Sequence, residues 1–121
     1  MTSPKSGSIQ GMEDNLKKAV TEMLVLALLS HEAMYAGQIT QGLEERSRGA
    51  LSIQFPYSVL YRLISFGCIV EGYKKIAPDG RRRQYFQITD LGRAHVAELK
   101  EHYRRFTLGV SALLRERREE E

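Results

Sequence analysis

Apolar side chains recur every three or four residues in the N-terminal part of the chain, at Leu16, Val20, Leu24 and Ala27. The stretch Met23–Leu29 is apolar at every position, which is typical of a helix that is buried on nearly all sides. The pattern therefore predicts a first helix from about Asp14 to Ser30.

Two further helices follow in the same pattern. Ile39 and Leu43 lie four residues apart and favour a helix over Tyr35–Ser47. Ser52 is a residue type that caps helix N-termini, and it predicts a third helix that reaches Phe66. The apolar positions of this third helix form one inward face, made of Val59, Leu60, Leu63 and Ile64.

Two runs typical of strands come next, Ile69–Ile76 and Arg82–Ile88, joined by a turn in which Pro78 sets φ and Gly80 accepts a positive φ. Thr89 predicts the cap of a last helix, from Asp90 to about Arg118. Three helices, a hairpin and a long helix predict a mainly α fold with a small β-hairpin, a winged helix-turn-helix plus a C-terminal dimerisation helix. We expect a flexible arm over residues 1–13, the winged helix-turn-helix domain over 14–89 and the dimerisation helix over 90–121.

The last helix carries an apolar seam whose members are spaced 3, 4, 3, 4 and 3 residues apart: Val96, Leu99, Tyr103, Phe106, Val110 and Leu113. This is the a/d spacing of a coiled coil, and the seam is longer than one small domain can cover. Pairing with a second copy of the chain is the favoured interpretation. The alternative is an amphipathic helix that packs on its own domain.

The 121 residues are 42% hydrophobic and 27% charged, the composition of one ordinary folded domain, and their net charge is +3. Residues 1–70 hold six Lys/Arg and six Asp/Glu, whereas residues 71–93 hold six Lys/Arg and three Asp/Glu. The positive balance is therefore concentrated around the hairpin. A single cysteine and the absence of a leader or a long apolar span favour a cytoplasmic protein with no membrane partner.

The hairpin holds the candidate phosphate-binding residues, which are Lys74, Lys75, Arg81, Arg82 and Arg83. The planar fork of an arginine matches the oxygens of a phosphate, and a loop tip lets several arginines reach a nucleic-acid backbone. The alternative is a solvated turn that keeps the edge of the hairpin soluble. Because a helix-turn-helix candidate precedes the hairpin, contact with double-stranded DNA is the favoured interpretation.

The segment GYKKIAPDGRRRQYFQITDLGR resembles the wing of PadR-type transcriptional regulators. A strand, a Gly-x-Arg-Arg turn, a second strand ending Tyr-Phe-x-Ile-Thr and a Gly-Arg pair that opens the last helix follow in the family's order. The run LEERS and the run Tyr57–Leu63 are similar to the family's second and third helices. The resemblance covers about residues 16–106 and implies a DNA-binding regulator, most simply a repressor.

The resemblance also implies roles for individual residues. Tyr57 is expected to contact the DNA backbone, although the chain has Pro56-Tyr57-Ser58 where the family often has Leu-Tyr-Pro. Small members of the family dimerise through the first and last helices and bind planar aromatic compounds between protomers. Tyr103 and Phe106 are candidates to line such a cavity, with plain packing in the seam as the alternative.

The remaining outward positions of the third helix are Gln54, Ser58, Tyr61, Arg62 and Ser65. Glutamine reads adenine edges, and arginine reads guanine or binds phosphate. We assign Gln54 and Arg62 to DNA contact and expect Ser65 to be a surface residue without a role.

Catalysis is not expected, since no nucleophile motif surrounds the Ser, His or Asp residues, and we expect no cofactor. His95 and His102 have no carboxylate or cysteine partner at ligand spacing, so we expect no metal site. Cys68 is predicted to be a small buried apolar residue, with a redox sensor as the alternative. The rival function is a winged-helix module that docks an acidic protein through its basic hairpin.

Overall fold

The computed structural model describes residues 7–115 of the chain. Within that range the elements are helix α1 (Ile9–Leu29), strand β1 (Met34–Tyr35), helix α2 (Ala36–Arg46), helix α3 (Pro56–Ser65), strands β2 (Ile69–Ile76) and β3 (Arg82–Ile88), and helix α4 (Asp90–Leu114). The predicted mainly helical, winged helix-turn-helix fold class is confirmed.

Helix α1 begins at Ile9, five residues before the predicted start at Asp14. Its N-cap is Ser8, whose Oγ accepts a hydrogen bond of 2.9 Å from the Gly11 amide. Ile9 and Met12 continue the apolar spacing of Leu16 toward the N-terminus, and the Ser8 cap sets the boundary. Part of the predicted arm is therefore helical, and residues 1–6 lie outside the described residues.

Helix α3 begins at Pro56, and Ser52 is not its cap, which corrects the sequence prediction. A proline in the first turn removes an amide that has no partner there, and its fixed φ suits the helix. Residues 51–55 run without regular structure before the helix. Gln54 therefore lies in the loop that leads into α3 rather than on the helix.

The sheet has the strand order β1-β3-β2 and is antiparallel throughout. The short strand β1, which the sequence did not reveal, pairs Met34 with Phe86. Strand β2 has one extra residue between Glu71 and Lys74, so it bulges there. The side-chain amide of Gln84 (Nε2) donates a hydrogen bond of 2.8 Å to the Gly72 carbonyl, which lies in the bulge.

Helix α4 begins after Thr89, as predicted, and the Thr89 hydroxyl accepts from the Gly92 amide at 3.0 Å. The same hydroxyl donates to the Gly67 carbonyl at 2.6 Å and fastens α4 to the end of α3. Helix α4 ends at Leu114. The predicted end near Arg118 lies outside the described residues.

The core lies between α1, the helix-turn-helix pair and the inner face of the sheet. The apolar run of α1 is buried as predicted, with Val25, Leu26 and Leu29 almost fully enclosed. The inward face predicted for α3 is likewise confirmed, since Val59, Leu60 and Leu63 are buried and Ile64 packs against them. The largest of the fully enclosed side chains are Phe86, Leu26, Leu29, Ile39, Leu60, Leu63, Ile69 and Val25.

Candidate nucleic-acid interface

Helix α3 presents a polar and aromatic face to solvent. Tyr57, Ser58 and Tyr61 are exposed on it, opposite the buried residues of the same helix. The rings of Tyr57 and Tyr61 lie 6.0 Å apart between centroids, and their planes are inclined by 32°. Two hydroxyl groups and a serine oxygen on one exposed helix face form a surface suited to hydrogen bonding with a nucleic acid.

Arg62, predicted to contact DNA, forms an ion pair with Glu22 of α1 in the free protein. The Arg62 Nε and Glu22 Oε1 atoms lie 3.1 Å apart, and the Arg62 side chain is half exposed. On the helix, Arg62 lies at the flank that faces α1 rather than at the centre of the outward face. Its guanidinium is thus engaged in the free protein, and Glu22 is a partner that sequence reasoning missed.

The tip of the wing, the turn between β2 and β3, is organised by Asp79. One of its carboxylate oxygens accepts from the Arg81 amide at 3.0 Å, and the other accepts from Arg83 Nη2 at 2.7 Å. The hydrogen bond from Arg83, followed by that from the Arg81 backbone, lowers the pKa of Asp79. Gly80 follows with φ of 84°, a conformation that the turn needs and that glycine adopts without strain.

Lys75 and Arg83, predicted as phosphate contacts, lie over tyrosine rings on the outer face of the sheet. The Arg83 Cζ atom is 5.4 Å from the centre of the Tyr35 ring, and Lys75 Nζ is 4.5 Å from that of Tyr85. The two rings meet edge to face at 5.5 Å. These cation–π contacts stabilise the sheet and hold both cations close to it.

The other three predicted basic residues of the wing project from it. Lys74, Arg81 and Arg82 are exposed, and within residues 7–115 none of them forms an ion pair. Asp79, through its hydrogen bond, raises the pKa of Arg83. Helix α3 contacts strand β2 of the wing, so the helix and the wing are neighbours in the fold.

The seam of α4 divides into an inner and an outer part. Val96, predicted at a dimer interface, is only 4% exposed, and Leu99 packs partly against the core, so both stabilise their own protomer. This packing agrees with the alternative interpretation of the seam for its first members, because the first turns of α4 lie on α1 and the sheet. The outer part of the seam is exposed to solvent and consists of Tyr103, Phe106, Val110 and Leu113.

Helix α1 has an exposed apolar stripe of its own, formed by Ile9, Met12 and Leu16. An open groove of about 560 Å³ lies between α1, the loop that follows α2 and α4, and its walls include Leu16, Val20, Leu51 and Tyr103. The stripe and the outer seam therefore border a shared apolar region on the surface of one protomer.

The sequence matches the PadR-like family of transcriptional regulators over residues 25–98. The protein belongs to the PadR-like family. Its fold resembles that of a PadR-like transcriptional regulator from Bacillus cereus, with 27% identity, a TM-score of 0.73 and coverage of 85% of this chain and 99% of that one.

A PadR family transcriptional regulator from Eggerthella lenta shares the fold at 23% identity and a TM-score of 0.74, over 90% of this chain and 94% of that one. A protein of Lysinibacillus sphaericus, described as uncharacterized, is 30% identical over 80 residues, which are 64% of this chain and 72% of that protein. PadR-like proteins are DNA-binding transcriptional regulators, and this chain is one of them.

Among the described residues, the potential metal ligands are not clustered. Within residues 7–115, no three His, Cys, Asp or Glu residues are grouped so that they could hold a metal ion. Cys68 is buried as predicted, and burial, with a smaller effect of Glu22, raises the pKa of its thiol. In the same range, no helix has both the length and the apolar character that a membrane crossing requires.

Proposed function

We propose that the protein is a homodimeric repressor that binds an inverted-repeat operator. The observation that carries this proposal is that the exposed face of α3 and the basic wing tip are both open to solvent in a winged helix-turn-helix fold. Tyr57, Ser58 and Tyr61 lie on the helix, and the unpaired Arg81 and Arg82 lie on the wing. In helix-turn-helix proteins the second helix of the motif enters the major groove, so the wing beside it meets the flanking backbone.

We assign the side chains of this surface to two tasks. Gln54 and Ser58 meet base edges at the N-terminal end of α3. Tyr57 and Tyr61 donate hydrogen bonds from their hydroxyl groups to the DNA backbone. Lys74, Arg81 and Arg82 bind phosphates, and each neutralised phosphate releases counterions. Lys75 and Arg83 shape the wing through their tyrosine contacts, so they contribute less to DNA affinity than the sequence suggests.

The dimer is proposed to form through the outer seam of α4 and the stripe of α1. The exposed Phe106 and Leu113 on α4, together with Ile9 and Met12 on α1, leave a large apolar area in water in the single protomer. Covering it with a second copy places two α3 helices on one duplex. Half-sites about 34–36 Å apart, one DNA turn, then account for an inverted repeat.

The groove beside Tyr103 is the proposed position for a small aromatic effector. Its lining is mainly apolar, and it borders the stripe and the seam through which the dimer is proposed to form. A ligand there acts only if it binds one arrangement of the protomers better than another. Planar aromatic compounds that leave the operator complex intact at every tested concentration would argue against this part of the proposal.

The function is tested by selecting duplexes from a random library with the full chain at about physiological salt. Enrichment of an inverted repeat is the expected result, and a reporter gene downstream of that repeat should lose expression when the protein is present. Salt-sensitive retention without enrichment would contradict sequence reading. It would favour the rival function, in which the basic wing docks an acidic protein.

Arg82→Ala is expected to weaken operator binding several-fold and to reduce the slope of log affinity against log salt by about one. The reason is that the exposed Arg82 has no ion pair in the described residues, so all of its charge is available to a phosphate. The slope is measured by fluorescence anisotropy over a range of salt concentrations.

Arg105→Ala is the matched control, since it removes the same charge from an exposed position on α4. Its salt slope should equal that of the unmodified protein. Arg83→Ala should change the slope less than Arg82→Ala, because Arg83 is already paired with Asp79. Equal slopes for all three variants would remove the wing from the DNA interface.

A further inference from the structure

Phe55 occupies the residue position directly before α3 and is 76% exposed to solvent. It is the N-cap of the helix, yet its side chain makes no capping hydrogen bond. Serine, threonine, aspartate and asparagine stabilise this position, whereas phenylalanine has no acceptor to offer. The ring therefore neither caps the helix nor joins the core, and in the free protein it holds a large apolar surface in water.

The surroundings of Phe55 belong to the surface assigned above to DNA. Gln54 precedes it and is exposed, while Tyr57 and Ser58 follow within the first turn of α3. The Ser58 hydroxyl donates to the Phe55 carbonyl at 3.2 Å, which fixes the backbone at this point. The N-terminal residues of a recognition helix are those that contact base edges in the major groove. Phe55 is thus the apolar member of a group that is otherwise polar.

The floor of the major groove offers one apolar group to such a ring, the C5-methyl group of thymine. We propose that Phe55 is a specificity-determining residue that packs on a thymine methyl group in each half-site. This inference rests on the proposed function and deepens it, because it assigns the base chemistry that one side chain reads. Gln54, its neighbour, is suited to an adenine edge, so the two residues together favour A·T pairs.

The test replaces the thymines of the selected operator by deoxyuridine one at a time, which removes only the methyl group. The unmodified full chain is expected to lose about four-fold in affinity at one position of each half-site, the effect of one buried methyl. Phe55→Ala should bind the thymine duplex more weakly by a similar factor or more. The affinity of Phe55→Ala should then be the same for thymine and for uracil at that position.

Phe66→Ala provides the matched control, because Phe66 is also an exposed phenylalanine, 59% accessible, at the C-cap of the same helix. This variant should keep the full sensitivity to uracil. Thermal unfolding of both variants checks that the fold is retained, which the exposure of Phe55 leads us to expect.

The outcomes separate this inference from the function on which it rests. Operator binding that ignores every methyl group, or a Phe55→Ala variant that keeps the full uracil effect, would overturn the inference and leave the regulator intact. A loss of affinity in Phe55→Ala with no uracil effect in the unmodified chain would also overturn it. Failure to select any operator would instead overturn the proposed function, and the inference with it.

Discussion

Phe106→Glu should convert the protein into a monomer that binds its operator at least about 100-fold more weakly. Phe106 is 67% exposed in the single protomer and lies in the middle of the outer seam of α4. A carboxylate at this position has to be buried without a partner if the dimer forms, which costs several kcal/mol. Since the second half-site adds affinity only while the two protomers are joined, the loss of the dimer is also the loss of tight binding.

The control for this change is Leu108→Glu. Leu108 is 57% exposed on the same helix, but two residues correspond to about 200° of rotation, so it lies on the opposite side from Phe106. Sedimentation at micromolar concentration should show a dimer for Leu108→Glu and a monomer for Phe106→Glu. A dimer in both variants would rule out the α4 seam as the interface. Leu99 is a poorer test site, because it packs against the core and its replacement also affects folding.

Gly92→Ala is expected to lower the free energy of unfolding by about 3 kcal/mol and the melting temperature by more than about 10 °C. Gly92 is buried in the first turn of α4, where a Cβ atom would collide with the Cys68 carbonyl and lie 2.7 Å from Ile88 Cγ1. The Cys68 carbonyl cannot simply move away, because it accepts the Thr89 amide at 2.9 Å. The close approach of α4 to Cys68, the residue before β2, therefore requires a glycine at position 92.

Gly109→Ala, in the same helix, serves as the control for helix propensity. No atom lies within 4 Å of the Cβ that it would introduce, and alanine in a helix interior is better than glycine by roughly 0.5–1 kcal/mol. Thermal unfolding should thus move in opposite directions for the two variants. A Gly92→Ala protein as stable as the unmodified chain would show that α4 can shift away from Cys68 without cost.

The fold was largely predictable because its signals are local. The apolar run of α1 and the four inward positions of α3 identify the core, and Thr89 identifies the start of α4. The start of α3 differs from the prediction, because Ser52 is a good cap by residue type whereas the helix begins at Pro56. Strand β1 was missed, since two residues are too short for any alternating pattern.

The site was predictable only in part, because several of its charged side chains contact residues that are remote in sequence. Arg62 and Glu22 meet only once α1 and α3 pack, which residue spacing does not reveal. Arg83 lies over the ring of Tyr35, which comes from the short strand β1 that the sequence does not reveal. Phe55 had a usable signal, since it is an aromatic residue next to Pro56 and outside the apolar face of α3.

Tyr35 ends strand β1, caps helix α2 and supports Arg83 of the wing with its ring. Its backbone N–H donates a hydrogen bond of 3.2 Å to Gln38 Oε1 in the first turn of α2. Tyr35 therefore links the helix-turn-helix to the wing, because it pairs with β3 and stands at the N-cap of α2. In the proposed dimer, a change in the angle between protomers would alter the distance between the two footprints on DNA.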